Sequence, residues 1–359
     1  MVKRVAIVGI VGLPANYGGF ETLAENLIGF TQVRNSEIEY EVFCSKGSYH
    51  SWPTTYRGAR LLYLPLRANG YQSVLFDFLS LSWAFARSAD VVLVLGVSGG
   101  VFFPLIKLLS SSKLIVNVDG IEWRREKWGF FQRRFLKFSE RIAALYADVV
   151  VADNAGISNY IRQEYGVDAV TIAYGGDHAL VDPFWKESVD LPEEFFLSVC
   201  RIEPENNVEL ILEAFSLLGE SLVFVGNWSR SEYGDRLRIK YAEFPNILLL
   251  DPIYDLNSLA YLRSNCLGYI HGHSAGGTNP SLVEMMQFDK CVFAFDCNFN
   301  RFTTNELARY FNDVESLCHI VSRMRASNGL SKCGELLGSF GRMRYSWKSV
   351  AGSYVDLFD

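Results

Sequence analysis

The sequence lacks the patterns that mark several classes of protein. Its seven cysteines are irregularly spaced and form no CxxC pair, so we expect reduced, mostly buried thiols in a cytosolic protein. The net charge of −6 argues against a nucleic-acid-binding protein. No Asp-x-Asp pair follows a strand, and His271 and His273, which share a strand face, have no third ligand nearby. We therefore expect no metal.

Long unbroken hydrophobic runs are also missing. The N-terminal apolar run is too short for a secretory signal. Residues 91–109 are apolar enough to consider as a membrane span, but Gly96, Gly99, Gly100 and Pro104 interrupt them. A buried strand, a glycine loop and a buried helix explain this stretch better, and we expect no transmembrane segment.

Short β-branched runs alternate with amphipathic stretches along the whole chain. This pattern predicts parallel, doubly wound sheets, and 359 residues suit two α/β domains. Residues 179–195 show little periodicity, which predicts a connection between two domains. The alternation of strands and helices resumes after them. We therefore predict an N-terminal domain over residues 1–178 and a C-terminal domain over 179–339. A final helix, 340–359, is expected to pack back on the first domain.

The first glycine loop is GIVGLPANYGGFE, residues 9–21, directly after an apolar strand. It fails the dinucleotide pattern GxGxxG, because Ala15 stands at the last glycine position and Lys46 replaces the expected acid. Gly18 and Gly19 precede a helical pattern, where backbone N–H groups can bind a phosphate. A glycine turn needed only for tight packing is an equal alternative.

A second glycine loop follows a strand of the C-terminal domain. It contains Ser274, Gly276, Gly277, Thr278 and Asn279. Pro280 is placed for the first turn of a helix, so the N–H groups of 276–279 are candidates to bind a diphosphate. Glu284, one turn further on, can accept hydrogen bonds from a sugar hydroxyl. The alternative for Glu284 is an ordinary solvated glutamate.

Charged residues at two strand ends are further candidates. Arg201 ends the first strand of the C-terminal domain and suits a diphosphate; the alternative is a surface arginine paired with Glu203 or Glu205. Asp119 and Glu122, in VDGIEW, are candidates to orient an acceptor or donor sugar. A helix cap at Asp119 is about as good an explanation.

The segment 123–141 differs from the acidic remainder of the chain. It holds seven basic and two acidic residues, interleaved with aromatic ones. Such a surface suits an anionic bilayer and a pyrophosphate-linked lipid. The alternative is an amphipathic core helix with a solvated basic face.

Four segments together resemble the GT-B, family 4 glycosyltransferases, and within them a bacterial rhamnosyltransferase-like group. They are GLPANYGGFET at 12–22, DGIEW at 119–123, RIEPENN at 201–207 and GGTNPSLVE at 276–284. The resemblance spans nearly the whole chain. It implies two Rossmann-like domains facing across a cleft, with the nucleotide-sugar donor held by the second.

The resemblance also implies roles for single residues. Arg201 holds the diphosphate, the 276–279 loop contacts phosphates and sugar, and Gly18 and Gly19 close on the phosphates. Glu284 matches the second glutamate of the family's Glu-x7-Glu motif and holds the ribose. The first glutamate is replaced by Gly276. A lysine common in the family is replaced by Asn206, which we therefore count among the donor-binding residues. The rhamnosyl group shares both features.

The sequence thus predicts a glycosyltransferase that needs no cofactor, and the resemblance implies that it is a retaining one. By resemblance it moves L-rhamnose from dTDP-L-rhamnose onto a lipid-linked saccharide during capsule or O-antigen synthesis. It would act in the cytoplasm, peripherally at the inner face of the cell membrane, through the segment 123–141. Two alternatives stay open: a sugar-nucleotide epimerase of the same fold, and a two-lobed solute-binding protein. The missing export signal and the basic aromatic segment count against the second.

Overall fold

The chain folds into two compact units. The computed structural model describes residues 2–15, 18–32, 37–118, 120–124 and 128–359. Unit 1 comprises Met1–Tyr174 and Trp347–Asp359, and unit 2 comprises Gly175–Ser346. Each unit is an α/β structure built on its own parallel sheet.

The sheet of unit 1 has eight strands in the order β3-β4-β2-β1-β5-β6-β7-β8. All neighbours are parallel except the short β3–β4 hairpin. The central strand β5 is apolar and buried along its length, and β1 is so from Val5 to Val8, as expected for strands covered by helices on both faces. The strands are β1 (Lys3–Val8), β2 (Ile38–Ser45), β3 (Thr55–Tyr56), β4 (Ala59–Leu64), β5 (Val91–Leu95), β6 (Lys113–Asn117), β7 (Val149–Ala152) and β8 (Ala169–Thr171).

Six helices cover this sheet. They are α1 (Gly19–Gln32), α2 (Ser73–Ala86), α3 (Phe103–Leu109), α4 (Phe130–Tyr146), α5 (Ala155–Tyr165) and, at the chain's end, α13 (Trp347–Phe358). The last helix packs on α1, and its Tyr354 hydroxyl accepts a 2.7 Å hydrogen bond from the amide of Asn117. The Phe358 ring meets Tyr40 edge to face. These contacts join the C-terminal helix to unit 1.

A buried carboxyl group on α2 gives unit 1 a testable pH dependence. Asp77 is 2 % exposed and accepts a hydrogen bond from Ser98. Burial raises the pKa of Asp77 to about 7, although hydrogen bonds from Ser98 and the Gly99 N–H lower it. The stabilising effect of the neutral form is therefore complete below pH 4 and is lost as pH rises through 7.

Asp77→Asn is accordingly expected to stabilise the protein at pH 8 but not at pH 4. A pKa difference of three units corresponds to at most about 4 kcal/mol in the free energy of unfolding. Urea unfolding between pH 4 and pH 8 measures the effect. If the free energies of unfolding of wild type and variant differed by the same amount at every pH, Asp77 would not titrate in this way.

The sheet of unit 2 has six parallel strands in the order β11-β10-β9-β12-β13-β14. They are β9 (Phe196–Val199), β10 (Leu222–Val225), β11 (Ile247–Leu250), β12 (Gly268–His271), β13 (Cys291–Phe295) and β14 (Arg309–Phe311). Its helices are α6 (Val208–Leu218), α7 (Glu232–Tyr241), α8 (Leu256–Asn265), α9 (Pro280–Met285), α10 (Asn298–Thr304), α11 (Val314–Ala326) and α12 (Leu330–Arg344). One core of aromatic and aliphatic side chains, including Phe196, Phe215 and Phe293, lies between sheet and helices.

The units divide a few residues away from the bounds expected from sequence, 178 and 340. Residues 175–178 lie in unit 2, where the Gly176 N–H donates to the Tyr345 carbonyl at 2.8 Å. The predicted last helix is two helices, α12 and α13, separated at Tyr345 and Ser346. Periodicity could not reveal this break, because both helices are amphipathic and the intervening residues can be helical.

Most predicted strands are confirmed, and residues 91–109 form a strand, a turn and a helix as expected. The expectation that this helix is buried is wrong. Only Phe103 and Ile106 of α3 are buried, while Leu105, Leu108 and Leu109 are exposed, because the helix packs on the unit with one face only. In the described part of the chain, no helix combines the length and apolarity needed to cross a bilayer. The expectation of seven reduced thiols is wrong for two of them. Cys291 on β13 and Cys333 on α12 form a disulfide, with Cα atoms 5.0 Å apart. The partners are 42 residues apart and meet only through tertiary packing.

Candidate functional site

The candidate site lies at the carboxyl ends of β9 and β12, which are neighbours in the unit 2 sheet. Arg201 and a short turn, Pro204–Asn206, follow β9; the loop 272–279 and α9 follow β12. The Tyr269 hydroxyl links the two ends, because it donates to the Val199 carbonyl at 3.0 Å and lies 3.3 Å from Ser281 Oγ. Open α/β sheets bind ligands at this edge.

Asn206 connects the two loops. Its amide nitrogen donates to the Arg201 carbonyl at 2.7 Å, and its Oδ1 accepts from His273 Nδ1 at 2.7 Å. It is 3 % exposed. Both ends of the Asn206 amide are thus engaged within the protein. Its predicted part in donor binding stays a prediction, and these contacts favour an indirect role through the shape of the loops.

Further bonds fix the second loop against the first. Ser274 donates twice to the Glu205 carbonyl, from its N–H at 2.9 Å and from its hydroxyl at 2.8 Å. The Asn207 amide donates to the Gly272 carbonyl at 2.8 Å. Ser274 therefore positions the loop. Hydrogen bonds within the protein thus hold the two loops together, and such order reduces the cost of binding.

Gly272 lies where the two loops are in close contact, and a larger residue there should push them apart. A Cβ there would lie 2.1 Å from the Asn206 carbonyl oxygen and 2.8 Å from Ile211 Cδ1. We expect Gly272→Ala to lower the free energy of unfolding by about 1–3 kcal/mol. Donor affinity should fall further than stability explains. Gly47→Ala, where a Cβ meets nothing within 4 Å, is the matched control.

Urea unfolding and nucleotide titration of both variants measure these effects. A Gly272→Ala protein with wild-type stability and wild-type nucleotide affinity would show that the contact between the loops is not needed.

The glycines of the 272–279 loop present backbone donors. Gly276 has a φ of +97°, a conformation that favours glycine. Within the described residues, the N–H groups of Gly276 and Gly277 donate no hydrogen bond. Thr278 is buried, and the Asn279 side chain caps α9 by accepting from the Ser281 N–H at 3.0 Å. Two adjacent unoccupied N–H groups can bind a phosphate oxygen.

Glu284 is held by an arginine and a histidine that the sequence analysis did not identify. One oxygen pairs with Arg263 of α8, and the other lies 3.2 Å from His178 Nε2. Burial raises the pKa of Glu284, but the charge of Arg263 and the bond to His178 outweigh it, so this pKa lies below its ordinary value. Glu284 is therefore an ionised, oriented hydrogen-bond acceptor and not a solvated glutamate.

Arg263 is 2 % exposed, which is rare for an arginine. In the described part of the chain, its Nε and Nη1 atoms have no hydrogen-bond partner. One signal could have revealed it. Arg263 lies on the same helical face as Leu259 and Cys266, so it occupies a core position where a charge requires a partner.

Arg201 is about half exposed, and its Nη1 lies 3.7 Å from Glu203 Oε2. This contact corresponds to the alternative foreseen for it, a surface pair with Glu203. Exposed pairs at such distances contribute little free energy. The guanidinium can therefore exchange this partner for an anion at the end of β9 at small cost.

The first glycine loop is organised by carboxylates. Glu21, in the first turn of α1, accepts from the Val11 N–H at 2.8 Å, and Glu25 accepts from the Ala15 N–H at 2.7 Å. A Cβ at Gly9 would lie 2.3 Å from the Leu95 carbonyl oxygen. Close packing thus explains Gly9. Gly18 and Gly19 lie where α1 begins, and their contact with phosphate stays a prediction.

The remaining predicted residues belong to unit 1. Glu122 accepts a 3.0 Å hydrogen bond from Trp128 Nε1 and begins a short 3₁₀ turn. Asp119 lies outside the described residues.

His271, one of the two histidines considered as metal ligands, lies in unit 2. Burial and then the neighbouring His273 lower the pKa of His271 to about 3, so this ring is neutral. Among the described residues, no three histidine, cysteine or acidic side chains come together as metal ligands.

Comparison with known proteins adds to this description. Residues 2–177 match a family model described as a domain of unknown function, DUF1972. Over 123 residues the chain is 28 % identical to the serotype-specific mannosyltransferase WbdA of Escherichia coli. That match covers 33 % of this chain and 14 % of WbdA, so the chain spans a small part of this relative.

Solved structures match over nearly the full length. Sucrose-phosphate synthase from Thermosynechococcus elongatus superimposes with a TM-score of 0.82 at 16 % identity, covering 99 % of this chain and 98 % of that one. Anabaena HepE, solved with UDP and glucose, gives 0.69 at 11 % identity, covering 99 % and 98 %. Starch synthase IV of Arabidopsis thaliana, bound to ADP and acarbose, gives 0.69 at 13 %, with the same coverage. The chain therefore has the GT-B fold, with two Rossmann-like α/β domains.

Proposed function

We propose that this protein is a glycosyltransferase of polysaccharide synthesis whose nucleotide-sugar donor binds in unit 2. The observation that carries the proposal is the Glu284 carboxylate, ionised and held by Arg263 and His178, on the helix α9 that follows the Gly276 and Gly277 N–H groups. The fold supports it, because HepE and starch synthase IV were solved with nucleotides. The partial match to a mannosyltransferase also supports it.

Each part of the site suits one part of a donor. Glu284 accepts a hydrogen bond from a ribose hydroxyl, which a carboxylate with a depressed pKa does at neutral pH. Arg201 and the N–H groups of Gly276 and Gly277 bind the diphosphate. As the bond to the sugar breaks, negative charge grows on that diphosphate, and these donors stabilise it.

The donor sugar, the stereochemistry and the roles of single residues are proposed from the resemblance to the rhamnosyltransferase-like group. We propose dTDP-L-rhamnose as donor, because Gly276 replaces the first glutamate of the family motif and Asn206 replaces the lysine. A deoxyribose offers only its 3′-hydroxyl to Glu284. Transfer retains configuration: a donor phosphate oxygen takes the acceptor proton while attack occurs on the same face. Asp119 and Glu122 orient the acceptor, and Gly18 and Gly19 approach the phosphates.

A second donor follows from a specific observation. The relative with 28 % identity is a mannosyltransferase, so GDP-mannose is the alternative to dTDP-L-rhamnose. The ribose of GDP carries both hydroxyls, and Glu284 could then accept two bonds. The acceptor in either case is a saccharide linked to a lipid pyrophosphate at the inner face of the cell membrane.

A donor panel tests the proposal. Purified protein is incubated with dTDP-rhamnose, GDP-mannose and UDP-glucose, with and without a lipid-linked saccharide, and free nucleoside diphosphate is measured. We expect release only with the acceptor and from one donor. Conversion of the donor sugar without acceptor would show an epimerase instead. Donor binding with no turnover under any condition would favour a solute-binding protein.

A further inference from the structure

We infer that one face of unit 1, formed by α2, α3 and α4, docks on an anionic lipid bilayer. The inference deepens the proposed function, whose acceptor is lipid-linked, and extends beyond the basic segment 123–141. Six of the eleven large apolar side chains that these helices expose lie on α2 and α3, which that segment does not include. We call this surface the α2–α4 face.

The three helices form a continuous layer. They connect β4 to β5, β5 to β6 and β6 to β7, and right-handed crossovers in that direction lie on one side of the sheet. The Phe78 and Phe102 rings, 4.6 Å apart, join α2 to the turn before α3. Lys107 Nζ, near the end of α3, contacts Asp148 just after α4 at 2.6 Å.

The α2–α4 face exposes large apolar side chains. On α3, Leu108 is 81 % exposed and Leu109 is 55 % exposed. On α4, Phe131 is 82 % exposed. On α2, Leu75 is half exposed. Soluble surfaces rarely expose such a group on neighbouring helices unless something covers it.

The charges of the α2–α4 face identify what covers it. The three helices contain only two carboxylates, Asp77 and Glu140, and both are buried. The exposed stripe of α4 reads Phe131, Arg134, Phe138, Arg141 and Leu145, so aromatic or aliphatic side chains alternate with arginines. Within the described residues, no acidic side chain pairs with Arg134 or Arg141. Carboxylates just outside the three helices pair with Lys107 and Lys137. The helices themselves expose cations and no carboxylate, on a protein of net charge −6.

A lipid surface matches this chemistry better than a second copy of the chain. Leucine and phenylalanine insert beneath the head groups, while arginines remain at the level of the phosphates. A two-fold dimer through the same face would place one set of arginines against the other. An anionic bilayer supplies both the apolar phase and the opposite charge.

The experiment is vesicle flotation with the full chain and no donor. Vesicles contain either phosphatidylcholine alone or phosphatidylcholine with about one-third phosphatidylglycerol. We expect binding to the anionic vesicles only. Two variants, Arg134→Gln/Arg141→Gln and Leu108→Gln/Phe131→Gln, should each weaken it tenfold or more. The control Leu217→Gln/Arg323→Gln alters an equally exposed leucine and arginine of unit 2 and should bind as wild type.

Several outcomes would overturn the inference. The first is wild type that does not bind anionic vesicles, and the second is that both face variants bind as well as the control. A dimer in light scattering that the face variants abolish, without vesicle binding, would show that a second copy covers the face. Thermal melting verifies that the variants fold. Because no sugar transfer is measured, failure here leaves the donor panel unaffected, and the reverse also holds.

Discussion

Replacing Arg201 by glutamine is expected to lower kcat/KM for the nucleotide-sugar donor by roughly 10²–10³-fold, as removal of one pre-positioned charge-stabilising donor does in other enzymes. Glutamine keeps the size and polarity of the side chain but removes the positive charge opposite the leaving diphosphate. The melting temperature should change little, because Arg201 is half exposed and its ion pair with Glu203 is long. Steady-state release of nucleoside diphosphate measures the effect.

The matched control for Arg201→Gln is Arg323→Gln on the exposed face of α11. It removes the same charge from unit 2 and should retain wild-type kinetics. If Arg201→Gln kept kcat/KM within about twofold of the control, Arg201 would not stabilise the transition state. A change in KM alone would assign it to ground-state binding.

The second large effect is expected at the buried pair of Arg263 and Glu284. Arg263→Met leaves the carboxylate with only His178, and breaking a buried pair in this way costs about 3–5 kcal/mol. We expect the lower part of that range, because the Glu284 side chain is 17 % exposed. Donor affinity should fall as well, since the carboxylate loses its fixed orientation. Urea unfolding and nucleotide titration measure the two losses separately.

The double variant Arg263→Met/Glu284→Met separates structure from function. It removes both charges, so most of the lost stability should return while donor binding stays impaired. A double variant that binds nucleotide normally would contradict the assignment of Glu284 to the ribose. A double variant no more stable than Arg263→Met would show that the two charges are not coupled.

Acid unfolding gives a further test of the Arg263–Glu284 pair. The pKa of Glu284 in the folded protein lies below its ordinary value. Its contribution is therefore present above the unfolded pKa, near 4.3, and is lost as pH falls through the lower folded value. Wild type should lose stability across this window, and the double variant should lose less.

Much of the fold could be predicted because its determinants are local in sequence. Apolar β-branched runs predict the buried strands β1, β5 and β9, and parallel pairing brings their carboxyl ends to one edge. Pro280 correctly indicates the start of α9. The short strands β3 and β14 were not predicted, because two or three residues carry too little periodicity.

The side chains that hold the predicted site residues in place could not be predicted, because they come from elements that are distant in sequence. Arg263 and Glu284 are 21 residues apart on different helices. Asn206 is 67 residues from His273. The sequence indicates that a residue is charged, but not that its partner is brought near by packing. The exposure of the leucines of α3 could not be predicted for the same reason, because in sequence they resemble core residues.

The most direct test of the account is a crystal structure of the protein with dTDP bound. We predict the diphosphate within hydrogen-bond distance of the Gly276 and Gly277 N–H groups and of the Arg201 guanidinium. The 3′-hydroxyl should donate to Glu284, which keeps its contact with Arg263. Nucleotide bound elsewhere on the chain, with these groups in contact only with water, would contradict the account.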